Sequence, residues 1–215
     1  EAVRGVAERL LSSRNPVIVA GGGVHLSSAC AALAELQETF SLPVATTVMG
    51  KGSVDERHPL SLGVMANATG PGSASRHQRA ILEEADFILL VGTRTDQNAT
   101  DSWRLYPSGA VFAHIDMDSC EVGRNYEAMR LVGDARLTLE TLAETMRGMG
   151  DGRRRAARAG LEARIAEGRV GYAAEMAAFL ETSGEPLHPA RVMAALQTVL
   201  TPDSIVVADA SFSSI

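Results

Sequence analysis

Two kinds of apolar pattern alternate along this chain: short unbroken runs, and longer stretches in which apolar residues recur at helical spacing. Val3, Val6, Leu10 and Leu11 put one apolar stripe on a helix over Glu1–Ser13, closed by the Asn15-Pro16 step, where the proline disfavours helical backbone before it. Val17–Ala20 reads as a buried strand, Gly21-Gly22-Gly23 as the turn at its carboxyl end, and Ser28–Phe40 as the next helix. Pro43–Val48 is a second short strand, ending in Met49-Gly50-Lys51-Gly52. Ser53–Ser73, rich in Gly, Pro, Asn and Ser, reads as a long irregular stretch of the kind that is functional or disordered in compact domains. A helix over Ala74–Ala85 leads into the strand Asp86–Val91, whose continuous apolar run marks a strand covered on both faces. The strands Ala110–Ile115 and Met129–Val132 follow, and then a helix to Met149.

Strands that alternate with helices, each closing on Gly or Asp, predict an α/β fold. The expected form is a doubly wound, mainly parallel six-stranded Rossmann-like sheet with helices on both faces, over residues 1–148. Ligands of such sheets sit beyond the carboxyl ends of the strands, near the point where strand order reverses. Gly21, Gly22, Gly23, Gly92, Arg94, Asp96, Asp116, Gly133 and Asp134 all fall at those ends. A glycine turn running into a helix suits a cofactor diphosphate, because glycine lets backbone approach the ligand and a helix start offers unpaired N–H groups. Plainer roles exist for the same residues: a simple chain reversal for the glycines, a surface ion pair for Arg94 with Asp96, a helix N-cap for Asp134. Asp116 and Asp118 have no third carboxylate near in sequence to make a metal site. His25, His58, His77 and His114 show no metal-ligand spacing, so these histidines and Trp103 read as structural.

Past Gly150 the character changes. Residues 149–184, rich in Arg, Ala and Glu, read as a helical linker with apolar positions at Tyr172, Met176, Phe179 and Leu180, interrupted at Gly168 and Gly171. His188-Pro189 then starts a helix carrying Val192, Met193, Leu196, Val199 and Leu200, followed by a buried strand Ser204–Ala208. Residues 185–215 thus read as the opening of a further α/β domain, and both chain ends read as cut.

Composition narrows the functional classes. A net charge of −6 and 4% aromatic residues leave neither the basic face nor the stacking surface that nucleic acid requires. Arg153-Arg154-Arg155 is the one concentrated basic run and reads as a solvated helix start. Cys30 and Cys120 lie far apart without C-x-x-C spacing, which fits a reducing, cytoplasmic setting. No apolar run approaches the ~18 residues that span a bilayer, and the start is not a signal peptide, so no membrane partner is expected.

Several motifs in a fixed order carry a resemblance. They are Pro16–Gly23, Met49-Gly50-Lys51-Gly52, His58-Pro59-Leu60-Ser61-Leu62-Gly63 and Gly92-Thr93-Arg94-Thr95-Asp96, then His114-Ile115-Asp116-Met117-Asp118, Gly123-Arg124-Asn125-Tyr126 and Gly133-Asp134-Ala135. In this order they resemble the middle of a thiamine-diphosphate-dependent enzyme of the acetohydroxyacid synthase and benzoylformate decarboxylase superfamily. The resemblance makes residues 1–148 the family's central domain, a DHS-like NAD/FAD-binding sheet, and residues 185–215 the start of its C-terminal diphosphate-binding domain.

That family implies a parent enzyme acting on a 2-keto acid such as pyruvate, by decarboxylation or carboligation, with thiamine diphosphate and Mg²⁺, as a homodimer or homotetramer. Its activating glutamate and its Gly-Asp-Gly…Asn metal motif belong to domains that do not stand in this sequence. The resemblance therefore assigns no catalytic residue here and makes the chain alone inactive. In flavin-binding members the resemblance brings Gly21–Gly23, the Gly63-Val64-Met65-Ala66 loop, Gly92, Arg94 and Asp96 to the flavin nucleotide, and Asp116, Gly133, Asp134 and Ala135 to its nucleotide end. An arginine there pairs with diphosphate in two-pronged fashion, and a strand-end carboxylate bonds ribose hydroxyls. Flavin-binding synthases carry Gly-Met-His-Gly where this chain has Gly63-Val64-Met65-Ala66, so the cleft takes FAD, ADP or nothing. In the tail, Asp209-Ala210-Ser211-Phe212-Ser213-Ser214 replaces the synthase pattern Asp-x-Gly-x-His-Gln, and by analogy with serine-rich relatives Ser211 and Ser213 face the thiamine diphosphate. Two other readings stand beside this one: a free-standing nucleotide or NAD module, though without the Cys-x-x-Cys zinc knuckle of NAD-dependent deacylases, and a purely structural domain.

Overall fold

The computed structural model describes residues 1–66, 70–150, 152–181 and 184–207; of residues 152 and 153 it describes the backbone alone. Six strands form one sheet: β1 (Pro16–Ala20), β2 (Val44–Thr46), β3 (Ser61–Val64), β4 (Phe87–Val91), β5 (Val111–Asp116) and β6 (Ala128–Val132). Their order is β3-β2-β1-β4-β5-β6, and every neighbouring pair is parallel. The helices are α1 (Ala2–Ser12), α2 (Gly23–Leu26), α3 (Cys30–Thr39), α4 (Arg79–Glu83), α5 (Ala135–Arg147), α6 (Gly152–Leu180) and α7 (Pro189–Gln197).

The unbroken apolar runs of β1 and β4 have a direct packing reason: both strands are wholly buried, and successive side chains serve opposite faces. Ile18, Ala20, Phe87, Leu89 and Val91 join a core with Leu10, Leu33, Leu36 and Leu142 from α1, α3 and α5. Val17, Val19, Ile88 and Leu90 join a second core with Leu60, Leu62, Ile81, Leu82, Leu105 and, from α6, Ile165. Cutting any of these leucines to alanine costs about 2–5 kcal/mol, the transfer term plus the cavity left behind.

Several local expectations change. The irregular stretch Ser53–Ser73 contains edge strand β3, too short to carry an apolar run. Its pairing slips from Val44–Ser61 to Ala45–Gly63, so Leu62 is the extra residue of a bulge that Gly63 accommodates at φ +73°. Ser28–Phe40 is not one helix from its start: Ser28, at φ 54°, separates the single turn of α2 from α3. Ala74–Ala85 divides into a 3₁₀ turn, Ala74–His77, and α4, with Gln78 between them donating to the Ile165 carbonyl at 2.9 Å.

A further change concerns Gly168 and Gly171, which do not interrupt the run. They lie inside α6, a continuous helix of 29 residues. A Cβ at Gly168 would stand 2.6 Å from the Gln78 side chain and 2.7 Å from the His77 carbonyl; one at Gly171 would stand 2.9 Å from His77 Nδ1. Glycine here lets α6 lie against the 3₁₀ turn. Over its described residues 204–207, the expected strand Ser204–Ala208 is not formed, and Ala208 lies outside the described residues.

Arginines on α6 fasten it to the sheet layer. Arg158 pairs with Glu38 at 2.8 Å and with Glu162 at 2.7 Å, and Arg164 meets Glu84 at 2.9 Å. Arg169 donates to the carbonyls of Glu56, His58 and Ser61 at 3.0, 2.7 and 3.1 Å, fixing the entry to β3. Arg154, expected as part of a solvated run, is buried and donates to the Arg14 carbonyl at 2.8 Å.

Candidate functional site

Strand order reverses between β1 and β4: the chain runs outward through β2 and β3, then returns to the other side of β1. The loops leaving β1 and β4 must diverge there, and the crevice between them is the usual ligand position of such sheets. The β1 turn is locked onto the β4 loop by backbone. Gly21 N–H donates to the Val91 carbonyl at 2.8 Å and Gly23 N–H to the Gly92 carbonyl at 3.0 Å. A Cβ at Gly21 would stand 2.3 Å from the Gly92 carbonyl oxygen, and one at Gly92, itself at φ +57°, would stand 2.6 Å from the Gly23 Cα. Close approach of two main chains is what these glycines allow.

This changes the expected picture of a turn lined with unpaired amides. Val24 and His25 N–H groups close onto the Gly21 and Gly22 carbonyls at 3.2 and 3.1 Å. Among the described residues, Gly22 alone in the turn keeps an amide without a backbone partner. Gly22 is also the glycine with room above it, its added Cβ being 3.3 Å from Met49 Cβ.

Over the turn lies a cleft of about 610 Å³. Gly22, Gly23 and Gly92 form its floor, Thr47, Val48, Met49 and Ala66 one wall, Arg94, Asp96, Asn98 and Ala99 the other, and Asp116 one end. Seven of the residues singled out from sequence thus meet at one opening: Gly22, Gly23, Ala66, Gly92, Arg94, Asp96 and Asp116. Gly21 lies buried beneath it. Gly63 sits in β3, while Gly133 and Asp134 follow β6, and none of the three is in the cleft wall. Asp134 caps α5, accepting from Leu137 N–H at 3.0 Å. Ser211 and Ser213 lie outside the described residues. Leu26, Val48 and Met49, which sequence reasoning did not single out as site residues, line the cleft while largely exposed. Their signal was apolar side chains placed directly in turns after strand ends.

The charged groups divide by engagement. Arg94 is exposed on the wall, with no carboxylate partner among the described residues; the surface pair with Asp96, the plainer alternative for both, is not formed. Asp96 instead holds its own loop, accepting from Ala99 N–H at 2.9 Å. Asp116 Oδ1 accepts from Asp118 N–H at 3.0 Å. Beneath this wall, buried His114 fixes the β4 loop. Its Nδ1 accepts from Gly123 N–H at 3.2 Å, so Nε2 carries the proton and donates to the Thr93 carbonyl at 2.9 Å. Burial holds its pKa below the ordinary histidine value. Asn125 and Trp103 both donate to the Thr95 carbonyl, at 2.9 and 3.2 Å, and hold Thr95 at φ 51°. Of the other four histidines, His25 bonds the Lys51 carbonyl, His58 Glu38 and His77 Glu175, while His188 caps α7 by accepting from Ala190 N–H at 3.2 Å.

Among the described residues, no group of three or more His, Cys, Asp or Glu side chains is placed to hold a metal ion, and no helix is long and apolar enough to cross a membrane.

Comparison with known proteins agrees with the fold. A probable acetolactate synthase large subunit of Methanococcus aeolicus is 36% identical over 139 residues, which are 64% of this chain and 22% of that protein. An acetolactate synthase of Arthrospira platensis is 39% identical over 125 residues, 58% of this chain and 21% of that protein. A 3D-(3,5/4)-trihydroxycyclohexane-1,2-dione hydrolase of Geobacillus thermodenitrificans is 34% identical over 146 residues, 68% of this chain and 22% of that protein. The matched stretch is therefore about a fifth of each of these relatives. Residues 3–142 match the family model described as the thiamine pyrophosphate enzyme, central domain, and the chain belongs to that family.

Proposed function

We propose that this chain is the central part of a thiamine-diphosphate-dependent, acetolactate-synthase-like enzyme, and that its strand-end cleft takes the ADP portion of FAD or ADP itself. Family membership and the names of the relatives support the first statement. The cleft at the switch point, with Arg94 on its wall and, among the described residues, no carboxylate paired with it, supports the second. Its volume of about 610 Å³ suits such a ligand, since small-molecule sites run from about 300 to 1,000 Å³. Arg94 would meet the diphosphate, Asp116 a ribose hydroxyl, and Leu26 with Met49 the apolar faces of a base.

In this reading the whole enzyme acts on a 2-keto acid such as pyruvate, works in the cytoplasm as a homodimer or homotetramer, and uses Mg²⁺. Thiamine diphosphate, when bound, supplies the electron sink that decarboxylation of a keto acid needs. The central domain's own residues hold a nucleotide and position the flanking domains. Ser211 and Ser213 would add diphosphate contacts, and the catalytic groups come from outside the chain, which alone is inactive.

Calorimetry of the 215-residue chain with ADP, FAD and NAD tests the cleft. ADP or FAD should bind, and Arg94→Gln should weaken binding about tenfold, as loss of a charge-assisted hydrogen bond implies. Tight NAD binding without ADP binding would instead favour a free-standing NAD module. A second, purely structural reading has its own support, since backbone packing alone accounts for Gly21, Gly23 and Gly92. No heat with any nucleotide would favour it. Turnover of pyruvate by the full-length protein with thiamine diphosphate and Mg²⁺ tests the parent's activity separately.

A further inference from the structure

We infer that the chain carries a second small-molecule site, for a compact organic monocarboxylate with an apolar body, at the opposite end of the sheet from the cleft. A cavity of about 270 Å³ opens there between α6 and the amino ends of β1 and β2. Its apolar wall comes from Pro16, Val17, Pro43, Ile81 and Leu161, and its polar rim from Arg14, Arg154 and Arg164.

The charges around it favour an anion. Arg164 is neutralised by Glu84, with bonds of 2.9 and 3.0 Å. Asp86 accepts the backbone N–H groups of Arg14 and Asn15, both at 2.8 Å. Among the described residues the carboxylates that bond this rim, Glu84 and Asp86, are thus engaged, and none pairs with the Arg14 guanidinium. Arg154 lies buried in the same wall, held by its bond to the Arg14 carbonyl at 2.8 Å, and the charge offered to a ligand is that of Arg14. Arginine beside a shaped apolar wall is the chemistry that holds a carboxylate by its charged end and an apolar body by its other.

Gly160 shows what keeps the cavity open. It lies within α6, where glycine destabilises helix by about 0.5–1 kcal/mol relative to alanine. Close packing explains Gly168 and Gly171 in the same helix but not Gly160, whose added Cβ would meet nothing within 4 Å. With Ala157 one turn before it, Gly160 gives the cavity a wall of minimal side chains. The volume falls just below the range of drug-sized sites, so the ligand is about the size of benzoate.

Benzoate and 4-methylpentanoate serve as probes, with benzamide as the uncharged control, titrated into the 215-residue chain while methyl NMR signals of Val17, Ile81 and Leu161 are followed. Saturable shifts of these methyls are expected with at least one acid, and at least tenfold weaker binding with benzamide. Arg14→Gln should weaken the acid about tenfold. Gly160→Leu, and independently Ala157→Leu, should abolish binding while the chain keeps its melting temperature or gains in it. Arg94→Gln, in the other cleft, should leave the titration unchanged. Absence of saturation with both acids, equal binding of benzamide, or unaltered binding in both cavity-filling variants would overturn the inference.

Discussion

Two adjacent glycines in the β1 turn carry different burdens. Gly21→Ala forces a methyl to 2.3 Å from the Gly92 carbonyl oxygen, and Gly92→Ala adds a left-handed backbone penalty to a contact of 2.6 Å. Each should cost about 3 kcal/mol or more in urea unfolding, because backbone on both sides cannot give way. Gly22→Ala meets Met49, at 3.3 Å from its Cβ and 3.5 Å from its carbonyl oxygen, so stability should change by less than about 1 kcal/mol while ADP affinity falls. A large loss of stability at Gly22 would show that the turn has no open side. His114 makes a pH prediction. Its folded pKa is lowered by burial, so the unfolded chain binds the proton more readily. Stability from this group is complete above the ordinary value near 6.5 and declines as pH falls toward the folded pKa. His114→Gln, which leaves one of its two backbone partners unmet, should remove about 1–3 kcal/mol at pH 7 and flatten the dependence of stability on pH below the ordinary histidine value.

At the scale of elements, α6 shows how the same residue type means opposite things along one helix. Gly160→Ala should stabilise by about 0.5–1 kcal/mol, as helix propensity predicts where a Cβ meets nothing. Gly168→Ala should destabilise by about 1–3 kcal/mol, because a Cβ 2.7 Å from the His77 carbonyl lifts the helix from its turn. Equal effects at the two positions would contradict the docked helix. The ion pairs along α6 add an acid sensitivity: Arg158, then His58, hold the Glu38 carboxyl down at about 2. That contribution is present above pH 4.5 and lost as pH falls through the folded value, and solvent exposure keeps it below about 1 kcal/mol. The sequence made β1, β4, β5, β6, α1 and α5 legible because each carries a long enough apolar pattern and a clear stop. It hid β3, whose four residues hold a serine and a bulge glycine, and it hid the continuity of α6, since glycine breaks a helical pattern on paper whether or not a neighbour needs the space. Cleft residues that end strands could be named from strand-end logic. Leu26, Val48 and Met49 could not, because an apolar residue in a turn reads as ordinary until the opposite wall is known. Nor could sequence tell that Gly21 is buried beneath the cleft while Gly22 and Gly23 line it.

For the molecule as a whole, the decisive question is what completes the second face of the sheet. The family match ends at residue 142, yet the core containing Val17, Val19, Ile88 and Leu90 also contains Ile165, wholly buried, with Leu161 packed against it. A 29-residue helix is roughly 44 Å long at 1.5 Å per residue, enough to cross the whole layer. Along that length α6 holds the Arg14 carbonyl, Glu38, Glu84, the segment entering β3 and, through Glu175, His77. A chain ending at residue 150 should therefore lose at least about 3 kcal/mol of stability, since one large side chain alone is worth about 1.5–3 kcal/mol when buried. It should also bind a hydrophobic dye that the full chain does not. The strand-end cleft takes no residue from α6, so the shortened chain, under conditions where it still folds, should bind ADP as the full chain does. An unchanged urea midpoint with no dye binding would make α6 an appendage. Loss of the midpoint together with retained ADP affinity would make it part of the domain's fold and place the nucleotide site entirely on the sheet's own loops.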